Sequence, residues 1–184
     1  MVTETLKRSI LAGVYISLAG MAFLKVGGIL GAILFGFGLL GVIQTGSLLY
    51  TGRIFFERNL WTLGLVFLGN VLGCYLVSLL TPEPLHDSAQ EIIATRINDT
   101  PLMILGKSSF CGLIMTTAVL GARERNYWPL LLGVPFFVLS GFYHSVADCY
   151  YFMLTLNRGF LLPWALIIVG NYIGGKLYFL WTAK

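Results

Sequence analysis

Charge is what this sequence has least of. Only 11% of its 184 residues are charged, eight acids against twelve lysines and arginines, too few to clothe a water-facing surface. Cysteine is also scarce: Cys74, Cys111 and Cys149 lie in apolar segments without C-x-x-C spacing. That pattern supports packing roles and neither a disulfide framework nor a zinc site. Histidine occurs only at positions 86 and 144, so a two-histidine metal site would need the loop around His86 to reach the middle of a membrane. Nucleotide-binding glycine motifs are missing, as is any basic stripe, which leaves a gradient as the driving force and removes nucleic acid as a partner. Nothing calls for a cofactor.

What the chain has in quantity is apolar sequence. It is 57% hydrophobic with a mean hydropathy of +0.83, which predicts an all-α membrane protein forming one polytopic domain in a lipid bilayer. Six runs, at about 9–24, 27–49, 60–80, 101–121, 127–156 and 160–182, each approach the roughly 20 residues needed to cross a bilayer. The first could pass for a signal peptide, but apolar sequence resumes at Val26 and the run reads as a span. Thr81-Pro82-Glu83-Pro84 stops the third run, because proline cannot continue a helix. The stretch 82–100 holds four acids and Arg96. It is the substantial extramembrane connection, with a weak amphipathic turn at Ile92 and Ile93. Placing the N-terminus in the cytoplasm puts seven cations inside (Lys7, Arg8, Arg53, Arg58, Arg123, Arg125, Lys184) and four outside (Lys25, Arg96, Lys107, Arg158). The positive-inside rule favours that orientation, with both termini cytoplasmic and the protein in the plasma (inner) membrane.

The halves repeat. Gly-Asn-x-x-Gly occurs at Gly69 and again at Gly170, Arg8-Ser9 through Gly13 matches Lys107-Ser108 through Gly112, and a glycine break at Gly46 matches one at Gly141. Each half, about 7–81 and about 101–183, then holds three spans with the second one interrupted. Three is odd, so the expected architecture is two inverted three-helix repeats with the substrate path between the broken second and fifth helices, as in channels and secondary transporters. Asn70 and Asn171 are assigned mainly to structure, since interhelical amides are ordinary membrane glue. Tyr150, Tyr151, Trp61, Trp128 and Trp164 read as interfacial anchors.

Gly141 to Tyr151 places an imidazole and a carboxylate in a lipid-like stretch. Ionisable side chains at that depth are expensive and ordinarily face a bundle interior or a water path, so His144 is the first candidate for the working residue and Asp148, four residues on, the second. In the repeat register Leu49 is the counterpart of His144.

The two breaks and the paired motifs resemble the formate/nitrite transporter family. Gly46-Ser-Leu-Leu-Tyr-Thr51 is similar to the family's G-A-E/D-L-F-T break, and Gly141-Phe-Tyr-His-Ser-Val-Ala-Asp148 to its G-F-E-H-S-V-A-N break. The resemblance implies a homopentamer of aquaporin-like subunits that passes small monovalent anions. It makes His144 the central pore histidine and Thr51 its hydrogen-bonding neighbour, with Phe35, Leu39, Tyr50 and Phe137 at the apolar constrictions. The chain departs from the pattern at Leu48 (an acid in the family), Tyr143 (Glu), Asp148 (Asn) and Gly112 (Asn), and the family's vestibule lysine corresponds to Arg96. Arg96 and Lys107 are expected to draw anions to the outer mouth, while an added carboxylate at Asp148 repels them unless it is paired or protonated. An aquaporin-like channel for a neutral solute is the alternative, weakened by the absence of paired Asn-Pro-Ala boxes. A membrane enzyme or metal site built on His144 and Asp148 lacks ligands.

Overall fold

The structure, a computed structural model, describes residues 2–182. Among them every regular element is helical: α1 (Val2–Val26), α2 (Gly28–Gln44), α3 (Tyr50–Arg53), α4 (Leu60–Ser78), α5 (Pro84–Asn98), α6 (Pro101–Arg123), α7 (Trp128–Leu139), α8 (Ser145–Thr155) and α9 (Leu161–Thr182), the last entered through one 3-10 turn at Arg158–Phe160. α1, α4, α6 and the stretch Arg158–Tyr178 are each long and apolar enough to cross a membrane. α2 and α7 are apolar but shorter, and each is followed by a break and a second, shorter helix. The protein is a multi-pass membrane protein.

Both breaks are made the same way. Gly46 and Gly141 take left-handed φ values of 63° and 67°, a conformation glycine adopts without a Cβ penalty. The next amide reaches back five residues, Ser47 N to Val42 O and Phe142 N to Phe137 O, while the glycine amide bonds Ile43 O or Val138 O. This double return is the Schellman stop, which satisfies the last carbonyls of a helix inside an apolar environment. The short half after the first break is α3, four residues beginning at Tyr50, and 54–56 form a turn. A side-chain acceptor sits at its start, Asn70 Oδ1, which takes the Tyr50 amide at 2.8 Å.

Asn70 also donates from Nδ2 to Ser9 O and Leu48 O, each at 2.8 Å. Asn171 repeats the arrangement, accepting the Ser145 amide at 2.8 Å and donating to Ser108 O and Tyr143 O. Each asparagine thus ties a break to the long helix beside it, and neither amide is left unpaired at a depth where no water can satisfy it.

The glycines around these asparagines bring helices into contact. α1 packs on α4 and α6 on α9. A Cβ on Gly73 would lie 2.2 Å from Ile10 O, and one on Gly174 only 1.8 Å from Ser109 O. Gly112 is equally closed, 2.3 Å from Asn171 O, so the asparagine expected there in the family has no room in this chain. We expect Gly174→Ala to strip the assembled protein from a detergent size-exclusion profile, because the clash is with backbone that cannot rotate away. A Gly64→Ala control, with nothing within 4 Å of its Cβ, should elute as wild type.

The connection 82–100 is more ordered than its sequence suggested. Most of it is α5, whose Leu85, Ala89 and Ile93 are buried against α8 and α1. Their i, i+4, i+8 spacing puts all three on one helical face. This packing carries Arg96 over the start of α8.

Tyr150 and Tyr151 are not interfacial anchors. They are buried, at 0% and 4% exposure, with the Tyr150 hydroxyl 2.9 Å from Thr81 Oγ1. Trp164 is also turned inward, its indole N–H donating to Ser145 O at 2.9 Å. Trp61 and Trp128 are exposed, at 80% and 67%. Cys74, Cys111 and Cys149 are buried free thiols.

Candidate functional site

The start of α8 meets the start of α3. His144 is the N-cap of α8, and its ring reaches across to Thr51 in α3, Nε2 to Oγ1 at 2.9 Å. Both residues are buried. The second ring nitrogen, Nδ1, lies 3.1 Å from the Ala147 amide. A backbone N–H can only donate, so Nδ1 is an acceptor and the ring proton sits on Nε2, pointing at Thr51. Phe137 stacks on the imidazole with centroids 5.8 Å apart and an interplanar angle of 21°. Phe35 meets Phe137 edge-on at 6.0 Å.

One cavity borders this contact at His144, and a second borders α3 at Leu49 and Gly52. The first, of about 40 Å³, is bounded by Phe35, Phe137, His144, Arg96, Asp148 and Tyr151. The other, of about 210 Å³, is bounded by the apolar Leu39, Leu49 and Val119 and by Arg8, Arg53 and Arg123. Tyr50 lines neither. Its ring packs on Phe67 and its hydroxyl donates to Ile168 O at 3.2 Å. Val119 stands at the second cavity without having been singled out from sequence, because its position on α6 becomes relevant only when α3 packs there.

The charges at the smaller cavity are paired. Arg96 Nε donates to Asp148 Oδ1 at 3.0 Å, with the two side chains 13% and 1% exposed. The Arg96 guanidinium also lies over the Tyr143 ring, 4.6 Å from its centroid. Lys107 Nζ donates to Asp99 Oδ2 at 2.6 Å and to the Tyr143 hydroxyl at 3.1 Å, and that hydroxyl donates to Asp99 Oδ2. Burial raises the Asp99 carboxyl, but the bonds from Lys107 and Tyr143 outweigh it and leave the group below the ordinary aspartate range. Two consequences bear on the sequence reading. The Asp148 carboxylate is paired: its side chain faces Arg96, while its amide donates to His144 O. Arg96 and Lys107 are not free attractors of anions, since each is matched by a carboxylate. The Asp99, Lys107 and Tyr143 cluster was not foreseen, because it joins the ends of α5 and α6 to the second break and no sequence spacing links them.

The larger cavity is the cationic one. Arg8 donates to Gly46 O through both Nε and Nη2, Arg53 lies 3.5 Å from Glu57, and Arg123 sits over the Phe56 ring at 3.4 Å. Three guanidinium groups line this cavity, and one of them, Arg53, pairs with a carboxylate.

Paired breaks, paired asparagines and a buried histidine after the second break extend over nearly the whole chain, and so does one family description. The model of the formate/nitrite transporter family covers residues 1–183. The chain belongs to that family. Its fold is also that of solved structures from it. A pentameric formate channel with formate bound matches with a TM-score of 0.85 at 19% identity, covering 100% of this chain and 98% of that one. An FNT family ion channel matches with a TM-score of 0.83 at 19% identity, covering 99% and 90%. No curated protein matches. Asp148 and Tyr143, two of the four positions at which the sequence departs from the resembled pattern, both belong to the charge clusters described above.

Proposed function

We propose that the protein is a transmembrane channel for a small monovalent weak-acid anion, such as formate, nitrite, hydrosulfide or a short carboxylate, and that it works as a homopentamer. What supports this reading is the Nε2 proton of His144, held at Thr51, with Phe35 and Phe137 at the cavity that His144 borders and Leu39 and Leu49 at the other. Phe35 and Phe137 form one constriction, and Leu39 and Leu49 the other. An anion stripped of water in such rings needs a donor. The hydrogen bond of Nε2 to Thr51 can be exchanged for one to the anion without moving the ring. Full proton donation by the neutral ring would leave an imidazolate, so hydrogen bonding is the role the geometry favours. Pentameric assembly draws on the solved relative described as a pentameric formate channel.

We read the subunit as six crossings in two inverted repeats, with the Asn70 and Asn171 networks as equivalent ties. Both termini face the cytoplasm of the plasma membrane. In that orientation the three-arginine cavity is the inner mouth, and the paired clusters, including Arg96 and Asp148, line the outer one. Anion attraction is then an inner-mouth property, since like charges concentrated in a cleft raise the local anion concentration.

The balanced charges beside His144 support a second reading, a channel for a neutral solute such as ammonia or an undissociated acid. Proteoliposomes separate the two. We expect anion current and uptake to follow the gradients of formate, nitrite, hydrosulfide, acetate and lactate at two pH values. Osmotic swelling without current for every anion would transfer the assignment to the neutral-solute channel.

A further inference from the structure

Lys176 lies in the last turns of α9 and lines neither of the two cavities described above. Its ammonium donates to the Glu57 carbonyl at 2.9 Å, which fixes it at the level of the 57–59 loop beside Arg58. The Glu57 carboxylate is engaged elsewhere, by Arg53 and by the amides of Arg58 and Asn59. Among the described residues neither Lys176 nor Arg58 has an ion pair. The two cations edge a groove of about 730 Å³ whose floor is Phe56, Tyr172, Ile173 and Leu177. Ile173 and Leu177 are 42% and 38% exposed. Trp61, 80% exposed at the start of α4, stands near the same loop, as an indole does at headgroup depth.

A cation on a lipid-facing helix is costly without a partner, and this groove offers two cations at one end of an apolar trough. We propose that it binds an anionic phospholipid, with the headgroup phosphate between Arg58 and Lys176 and an acyl chain along Ile173 and Leu177. Charge complementarity selects the occupant: a zwitterionic lipid brings its own cation to the same end, and free phosphate gains nothing from the floor. The trough shares no lining residue with either cavity described above, so the proposal does not depend on the choice of transported solute.

The test is native mass spectrometry of delipidated, assembled protein titrated with phosphatidylglycerol, with phosphatidylcholine of the same chains, and with inorganic phosphate. Phosphatidylglycerol alone should be retained. Each cation facing an anionic headgroup contributes about fivefold, so Arg58→Gln with Lys176→Gln should weaken retention roughly thirtyfold and Arg58→Gln alone about fivefold. Equal retention of the two lipids, or undiminished retention by the double variant, overturns the proposal. Inorganic phosphate bound as tightly as the lipid overturns it in favour of a free-anion site. Loss of the oligomer in the Arg58→Gln protein overturns it in favour of a neighbouring copy on this face.

Discussion

His144→Phe is expected to abolish anion flux in proteoliposomes while the protein still elutes as the wild-type oligomer. The substituted ring keeps the stack on Phe137 (5.8 Å between centroids in the native pair) but offers no donor to an anion between the rings and none to Thr51. A hydrogen bond to a charged group in a site without water is worth about 3 kcal/mol, on the order of a hundredfold in rate. His144→Asn should keep part of the flux, since its amide can donate from a similar place. It should also lose any pH dependence centred near the imidazole range, since an amide does not titrate. Wild-type flux through an assembled His144→Phe protein would remove this residue from the mechanism. Loss of flux together with loss of the oligomer would instead assign it to folding, because the ring also caps α8 through Ala147.

The second large effect is on stability. Arg96→Met leaves the Asp148 carboxylate, 1% exposed, without its counter-ion, and breaking a buried pair from one side costs about 3–5 kcal/mol. The variant should melt well below wild type in detergent. Asp148→Asn should cost less, because Arg96 is closer to water. The double variant Arg96→Met with Asp148→Asn should recover most of the loss, since two neutral groups need no counter-ion. A double variant as unstable as Arg96→Met would show that Arg96 acts through its packing on Tyr143 and not through its charge. The sequence alone suggested that Arg96 draws anions to the outer mouth; pairing changes that expectation, because its charge is already matched by Asp148.

The element plan was legible wherever one local rule acted alone. Left-handed glycines at Gly46 and Gly141 mark both breaks, proline marks the end of α4, and Gly-Asn-x-x-Gly marks the two tight helix pairs. α5 could have been read too: Leu85, Ala89 and Ile93 show its buried face, but Asp87 and Glu91 on its other side, with Glu83 and Asp99 at its ends, masked it as an extramembrane connection. Tyr150 and Tyr151 went astray for a related reason. An aromatic pair near the end of an apolar run suits an interface equally well as a core, and only the packing of α8 on α4 and α5 decides between them.

Composition and spacing by themselves determined that the chain is an all-α membrane protein, where its helices break and that a lone histidine follows the second break. These depend on hydropathy, backbone freedom and the cost of ions in lipid, which act within a few residues of one another. Only the tertiary structure decided which groups meet: Thr51 with His144, Arg96 with Asp148, and Lys107 and Tyr143 with Asp99. Partners as far as 93 residues apart are chosen by how helices pack, and the charge left over at each cavity follows from that pairing.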